Sequence, residues 1–258
     1  MVNFAQLKSN RAAALETLKA EAAKVNDKKT YEKDDRYWQP TVDKAGNGSA
    51  TIRFLPAIEG EDVAWVRYWD HGFQGPGGWY IENSLTTLGQ EDPCSEYNTK
   101  LWNIDPKNEH CPFKKQARDQ KRRLHYVSNI LVVKDPANPE NNGKVFLFKY
   151  GKKIFDKLNA AMNPKFEDDV AVNPYDMWEG ADFRLRITKE DGYRSYNNSD
   201  FAQAGPIAKT DEAIEKIWRQ GYALQPILDP SNFKSYAELK ARLDRVLGKK
   251  TTDRDDAD

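Results

Sequence analysis

Basic and aromatic side chains alternate at short spacing in five separate segments of the chain. These segments are RYW at 36–38, WVRYW at 65–69, KRRLHY at 121–126, FLFKYGKK at 146–153 and GYRSY at 192–196. Cations can contact phosphates, and aromatic rings can stack on unpaired bases with about 1–3 kcal/mol per base. The pattern favours a single-stranded nucleic-acid ligand, although for any one ring a place in the hydrophobic core is the alternative.

Side chains arranged for catalysis are sparse in this sequence. It contains no phosphate-binding glycine loop, no G-x-S-x-G motif and no H-E-x-x-H motif. The acidic pairs Glu91–Asp92 and Asp168–Asp169 could hold Mg²⁺ in a nuclease, but adjacent acids more often belong to solvated loops. We therefore expect a binding protein rather than an enzyme.

Histidine and cysteine residues suggest a zinc site, with His71, Cys94 and Cys111 as the candidate ligands. Zinc sites that are recognisable from sequence carry paired ligands at short spacing, such as Cys-x-x-Cys, and this chain has no such pair. We expect no required cofactor, and the residues alone leave zinc open. Two cysteines are too few for a disulfide scaffold and are typical of a reducing compartment.

Charge is distributed unevenly along a chain whose net charge is zero. The 40 Lys and Arg balance the 40 Asp and Glu, yet residues 107–125 hold seven Lys or Arg against two acids. The last eight residues, TTDRDDAD, hold four Asp and one Arg. Attraction to a charged partner must therefore come from the arrangement of charge. There is no run of eighteen apolar residues and no secretory signal pattern, so neither membrane insertion nor export is expected.

The spacing of apolar residues predicts helices at both ends of the chain and strands between them. Residues 3–25 show helical spacing, whereas seven segments from residue 48 onward alternate as β-strands do. An insertion at about 84–120 lacks a strand pattern. Near the C-terminus, a capping box from Ser235 to Glu238 predicts a helix that ends before Gly248. The whole indicates an α+β protein with a mostly antiparallel sheet, for which a small OB-type barrel is a reasonable architecture.

Longer motifs resemble those of one family. The first of these motifs, at 128–157, is SNILVVKDPANPENNGKVFLFKYGKKIFDK. The others are AGNGSATIRFLP, HGF followed by GGWYIE, and PYDMWEGADFRLRI followed by GYRSYNNSDF. Together these are similar to the single-stranded DNA-binding proteins of T-even-type phages, the gene-32 helix-destabilising protein family. The resemblance implies a five-stranded OB-fold barrel with a large inserted subdomain and flanking helices. It also implies cooperative, sequence-nonspecific binding of single-stranded DNA in replication, recombination and repair, in the cytoplasm of the infected bacterial host.

The resemblance further implies a division of the chain and a set of functional residues. Residues 1–28 would form a basic helical arm, with Lys8, Ser9 and Arg11, that mediates self-association along the DNA. Residues 29–248 would form the DNA-binding core, and residues 249–258 would form a short acidic tail that contacts phage replication and recombination proteins. The residues at DNA-facing positions would be Trp102, Lys121, Arg122, Arg123, Tyr126, Phe148, Lys152, Tyr193 and Tyr196.

One departure from the family concerns zinc. The family's type member binds the ion with one His and three Cys. In this chain His71 stands at the matching histidine, Ser84 replaces the first cysteine, and Cys94 stands without a paired cysteine. An altered or metal-free insertion is therefore expected.

Two other functions fit the same residues. One is an RNA-binding regulator on the same fold, because stacking and phosphate contacts do not exclude ribose. The other is a metal-dependent nuclease. Whether the chain binds single-stranded DNA or RNA, we expect the strand after the basic run at 107–125 to place one face in the barrel and to hold Tyr126 where a base could stack.

Overall fold

The computed structural model describes residues 34–166 and 168–249, with nine strands, five α-helices and four short 3-10 helices among them. The strands are β1 (Tyr37–Trp38), β2 (Gly48–Phe54), β3 (Trp65–Gly75), β4 (Gly78–Asn83), β5 (Arg123–Lys134), β6 (Val145–Tyr150), β7 (Ala181–Glu190), β8 (Tyr193–Ser195) and β9 (Asp200–Ala204). The α-helices are α1 (Pro93–Asn103), α2 (Pro112–Asp119), α3 (Lys152–Met162), α4 (Asp211–Trp218) and α5 (Tyr236–Val246). The predicted arm residues Lys8, Ser9 and Arg11 lie outside the described residues, as does the acidic tail after Lys249.

β5 organises the sheet because it pairs along both of its edges. One edge pairs with β6, and the other is shared by β3 along the first half of β5 and by β2 along the second half. β7 extends the sheet beyond β2, and among the described strands only β1 and β6 pair in parallel. The protein is therefore α+β with a mostly antiparallel sheet, as predicted. The strand order β1-β6-β5-β2-β7-β8 is open, so a closed barrel of five strands is not confirmed.

The largest hydrophobic cluster lies on one face of this sheet. Alternate residues of β5, among them Tyr126 and Ile130, point into it together with Phe54 from β2. The other face of β5 is also covered, since Val127 is buried in a second cluster with Leu224 from the C-terminal segment. β5 thus makes apolar contacts on both faces, which explains its nearly continuous apolar sequence.

Tyr126 and Phe148 are core residues, so the prediction that they contact DNA bases is wrong. They are 6% and 3% exposed, respectively. The ring of Tyr126 stacks on Phe155 from α3, with centroids 4.0 Å apart and planes 5° apart, and Phe148 packs edge-on against Trp38 at 5.3 Å. Both rings lie on the face that fills the interior, so neither leaves a surface on which a base could stack.

The segment predicted as an insertion, at about 84–120, contains α1 and α2. The carboxylate of Asp92 caps α1 by accepting a hydrogen bond from the N–H of Ser95, and Pro93 occupies the first helical position. α2 also begins with a proline, Pro112. The two helices pack against each other, and α1 packs against α5. The insertion is therefore in contact with the C-terminal part of the core.

α5 begins at the predicted capping box, in which the side chains of Ser235 and Glu238 each accept a hydrogen bond from the other residue's backbone N–H. The chain leaves the helix through Gly248, whose φ of +69° favours glycine. Leu239 and Leu243 pack α5 onto Tyr80 of β4. Within the described residues, no helix has both the length and the apolar composition needed to cross a membrane.

Candidate nucleic-acid interface

β3 carries aromatic and basic side chains in alternation, and its pairing with β5 decides which face each one occupies. Arg67 lies opposite Tyr126, and Trp69 lies opposite Leu124. Residues directly opposite each other in an antiparallel pair share a face. Phe155 from α3 covers Tyr126 on that face. We name the accessible part of this surface the Trp69 face, and its residues are Arg67, Trp69, Arg122, Leu124 and Phe155.

The cations of the Trp69 face have no acidic partner among the residues that the structure describes. The guanidinium of Arg122 lies over the ring of Trp69, 4.3 Å from the ring centroid, in a cation–π contact. Arg67, Arg122 and the neighbouring Lys121 are exposed, and no carboxylate of residues 34–166 or 168–249 forms an ion pair with any of them. Their positive charges are therefore available to an anionic ligand.

The opposite face of the same strands is also basic, but its basic side chains share one buried carboxylate. The carboxylate of Asp70 is buried and lies 2.8 Å from Nε of Arg123, 3.0 Å from Nε2 of His125 and 3.5 Å from Nζ of Lys149. Burial alone would raise the pKa of Asp70, but its interactions with His125 and Arg123 outweigh burial and hold this pKa well below its usual value. Arg122 and Arg123 thus act on opposite faces, and only Arg122 lacks an acidic partner.

Asp70→Asn should destabilise the protein by roughly 2 kcal/mol near neutral pH, because Arg123, His125 and Lys149 lose the carboxylate that they share. The folded pKa of Asp70 lies below the unfolded value of about 3.9. Its contribution is therefore complete above the unfolded pKa and is lost as the pH falls through the folded pKa. The difference in unfolding free energy between wild type and variant should narrow below about pH 4, which urea unfolding at several pH values measures.

The control for this experiment is Asp62→Asn, because Asp62 is exposed and has no ion-pair partner in the described part of the chain. This variant should match wild type in unfolding free energy at every pH. A loss in Asp70→Asn that stays constant down to acid pH would show that the carboxylate acts only through packing.

Comparison with known proteins decides the family. A family model described as "gp32 DNA binding protein like" matches residues 46–247, most of the chain. The chain belongs to this family. The single-stranded DNA-binding protein of Enterobacteria phage T4 is 38% identical over 241 residues, which cover 90% of this chain and 77% of that protein. The protein of the same name from Enterobacteria phage T2 is 38% identical over 224 residues, which cover 83% and 71%. The family membership expected from the motifs is confirmed.

Trp102 is the predicted interface residue that this gp32-like chain carries on its insertion. It lies near the end of α1 and is 40% exposed. Nζ of Lys114 and the guanidinium of Arg118, both from α2, lie 5.2 Å from its ring centroid. Part of the ring is thus used to join α1 to α2, and the remainder is accessible.

The other predicted residues lie on α3 and around β8. Lys152 is exposed in the first turn of α3, where it is ion-paired with a carboxylate one turn later. Tyr193, on β8, is 79% exposed, whereas Tyr196 packs partly against the core. Nζ of Lys157 on α3 donates to the carbonyl oxygen of Asn197 at 3.1 Å, which joins α3 to the segment after β8. Tyr193 is not one of the residues of the Trp69 face, and its contact with DNA stays a prediction.

Four residues of the Trp69 face were missing from the predicted set: Arg67, Trp69, Leu124 and Phe155. The segment WVRYW is one of the five basic and aromatic segments of the sequence. Arg67 and Trp69 lie two residues apart in it, which places them on one face of a strand. Their nearness to Arg122 depends on the register between β3 and β5, which no local pattern specifies. The role of Phe155 follows from the packing of α3 on the sheet.

Proposed function

We propose that this protein binds single-stranded DNA without sequence specificity through the Trp69 face and that it is not an enzyme. The proposal rests on the stack of Arg122 on Trp69 beside a second exposed arginine, Arg67. Neither arginine has a carboxylate partner among the described residues. Membership of the gp32-like family supports the same function, as do the phage T4 and T2 relatives, which are single-stranded DNA-binding proteins.

The chemistry of the Trp69 face suits a ligand of varied sequence. Arginine can reach the phosphate oxygens that every nucleotide carries, and an aromatic face can stack on any base. Trp69 and Phe155 are both partly exposed, which leaves ring surface for such stacking. Binding should therefore depend strongly on salt and on unpaired bases, and only weakly on base sequence.

The set of strands that contributes to one aromatic core supports an OB-type architecture within this proposal. β1, β2, β5, β6 and β7 surround one aromatic core, and the insertion lies between β4 and β5. We infer that this sheet corresponds to the OB-type barrel of the family. In OB folds the ligand lies across the sheet surface rather than inside the core, which agrees with a site on the Trp69 face.

Titration with oligo-dT, followed by quenching of tryptophan fluorescence, tests the proposed function. We expect saturable binding that weakens steeply as salt rises.

Competition with RNA of matched length should show preference for DNA; equal or tighter RNA binding would favour an RNA-binding regulator. Incubation of labelled single-stranded DNA with Mg²⁺ should leave the strand intact, and cleavage that requires Asp168 and Asp169 would favour a nuclease.

Deleting residues 1–25 should reduce cooperativity while leaving intrinsic affinity nearly unchanged. The sequence of this segment combines apolar residues at helical spacing with the basic residues Lys8 and Arg11, a pattern that suits contact with a neighbouring molecule. Binding to an oligonucleotide that holds one protein molecule should match that of the full chain, and binding to long poly-dT should weaken. Equal losses on both DNAs would show that the arm contacts the DNA itself.

We further propose roles in phage DNA replication, recombination and repair within the cytoplasm of the infected bacterium. The acidic residues of the tail, four Asp in the last eight residues, suit contact with basic surfaces of phage replication and recombination proteins. Removing residues 250–258 should then weaken capture of such partners while leaving oligo-dT affinity intact. Loss of oligo-dT affinity would contradict this division of roles.

A further inference from the structure

A buried polar cluster joins the insertion to β3. It is formed by the side chains of His71, Ser84, Asp92 and Cys94 and by the main-chain carbonyl of Gln120, and all five residues are buried. Three of them, His71, Ser84 and Cys94, stand where resemblance to the phage family implies ligands of a zinc ion. The geometry of this cluster therefore decides whether these residues suit that metal.

His71 and Cys94 are not arranged as metal ligands. Nδ1 of His71 lies 3.0 Å from the carbonyl oxygen of Gln120, and Nε2 lies 3.3 Å from Oδ1 of Asp92, so both ring nitrogens face protein oxygens. Sγ of Cys94 lies 4.0 Å from the same carbonyl oxygen and 3.9 Å from Nδ2 of Asn98.

The carboxylate of Asp92 is occupied by hydrogen bonds within the protein. Its Oδ2 accepts from Oγ of Ser84 at 3.0 Å and from the N–H of Leu85 at 3.1 Å, and its Oδ1 accepts from the N–H of Ser95 at 2.9 Å. Both oxygens of this carboxylate therefore already accept hydrogen bonds from the protein.

The residues present do not fit a structural zinc ion. Such sites use four ligands, mostly Cys and His. Within residues 34–166 and 168–249, no three His, Cys, Asp or Glu side chains form a group that could hold a metal ion. Cys111, the other candidate ligand, is buried at the start of α2.

α5 anchors the insertion by a second route. Its residues Leu239, Leu243 and Val246 belong to one buried cluster with Leu85 and Cys94 of the insertion. A segment of about 35 residues is too small to stabilise itself with its own core. Burial of its apolar side chains against a helix of the core supplies the stabilisation that a metal supplies in many small subdomains.

We propose that the insertion of this protein is a metal-free subdomain. The hydrogen bonds that Asp92 accepts from Ser84, Leu85 and the first turn of α1 hold it together, His71 lies against the same carboxylate, and packing against α5 fixes it to the core. The polar cluster stands in place of the zinc ion that the family implies. Folding and DNA binding by this chain consequently need no zinc.

Metal analysis and chelation of the full-length protein test the proposal directly. Protein produced in zinc-containing medium should carry far less than one zinc per chain. A strong chelator should leave the melting temperature unchanged, along with the hydrogen-exchange protection of residues 85–119. One zinc per chain, together with loss of that protection on chelation, would overturn the proposal.

Two substitutions give a second, independent readout. Asp92→Ala removes the helix cap and leaves the hydroxyl of Ser84 and the N–H of Leu85 without their acceptor, so it should lower the melting temperature by about 10 °C. Cys94→Ala removes one small apolar contact and should lower it by about 3 °C. A zinc site predicts the reverse order, because loss of a thiolate ligand releases the metal.

The variant Asp92→Asn covers the case in which Asp92→Ala does not fold. It keeps the size of the side chain and one acceptor oxygen for the cap, and it should still lower the melting temperature more than Cys94→Ala does. Cys94→Ala should also bind oligo-dT like wild type in the presence of chelator. A larger loss of stability in Cys94→Ala than in Asp92→Asn would overturn the proposal.

Discussion

Replacing Arg67 and Arg122 together by alanine should weaken binding to a single-stranded oligonucleotide about 25-fold near 0.1 M salt. Each phosphate contact to a single strand adds about −0.7 to the slope of log K against log salt, so two contacts add about −1.4. At 0.1 M salt, that slope corresponds to about 1.4 log units of affinity. The slope measured for the double variant should therefore be shallower by about 1.4, as determined by fluorescence titrations at several salt concentrations.

Arg123→Ala is the matched control for this experiment. Arg123 follows Arg122 directly in the sequence, but it acts on the opposite face and is held by Asp70 at 2.8 Å. Its removal should change the affinity little and should leave the salt slope as in wild type. If Arg123→Ala flattens the slope as much as Arg122→Ala does, or if the double variant keeps the wild-type slope, the DNA does not bind to the Trp69 face.

The division of the basic run between two faces could be predicted only in part. Neighbouring residues of a strand point to opposite faces, so the sequence alone separates Arg122 from Arg123. Which of the two is paired with a carboxylate depends on Asp70, a residue 53 positions away from Arg123. That pairing exists because β3 and β5 are adjacent in a particular register, which is a long-range property of the sheet.

The prediction that Tyr126 faces the DNA was wrong for a related reason. Alternation in β5 correctly groups Tyr126 with Leu124 and Ser128 on one face. A strand covered on only one side would show polar residues on its other face, but Val127 and Leu131 are also buried. With apolar residues on both faces, the local pattern cannot tell which face lines the core and which lies under the C-terminal segment.

For the insertion, local sequence patterns could predict a helix but not the contacts that this helix makes. The order Asp92, Pro93, then Ser95 carries a helix-start signal that could have predicted α1. The anchoring of the insertion by α5 could not have been predicted, because Leu85 and Leu243 lie far apart in the sequence and meet only in the folded core. Local capping signals thus identified elements such as α5, whereas the contacts between elements required the structure.

Tyr126→Ala should lower the free energy of unfolding by about 3–5 kcal/mol, because it removes a buried ring and leaves a cavity. The lost contacts include the parallel stack on Phe155, with centroids 4.0 Å apart, and the stack on Tyr150 at 5.8 Å. Urea unfolding measures the loss. Tyr126→Phe is the matched control and should be nearly neutral, since it keeps the ring and the volume of the side chain.

The same variant separates a core role from a DNA-contacting role. At a temperature well below its melting point, Tyr126→Ala should bind oligo-dT with a salt slope equal to that of wild type, because no phosphate contact is lost. Its affinity should fall much less than that of the Arg67 and Arg122 double variant, since the Trp69–Arg122 stack at 4.3 Å does not include Tyr126. A variant with wild-type stability and a large loss of affinity would instead place the ring of Tyr126 against a base. A large loss of stability with DNA binding preserved below the melting point would place Tyr126 in the scaffold that supports β3 and β5, beneath the Trp69 face.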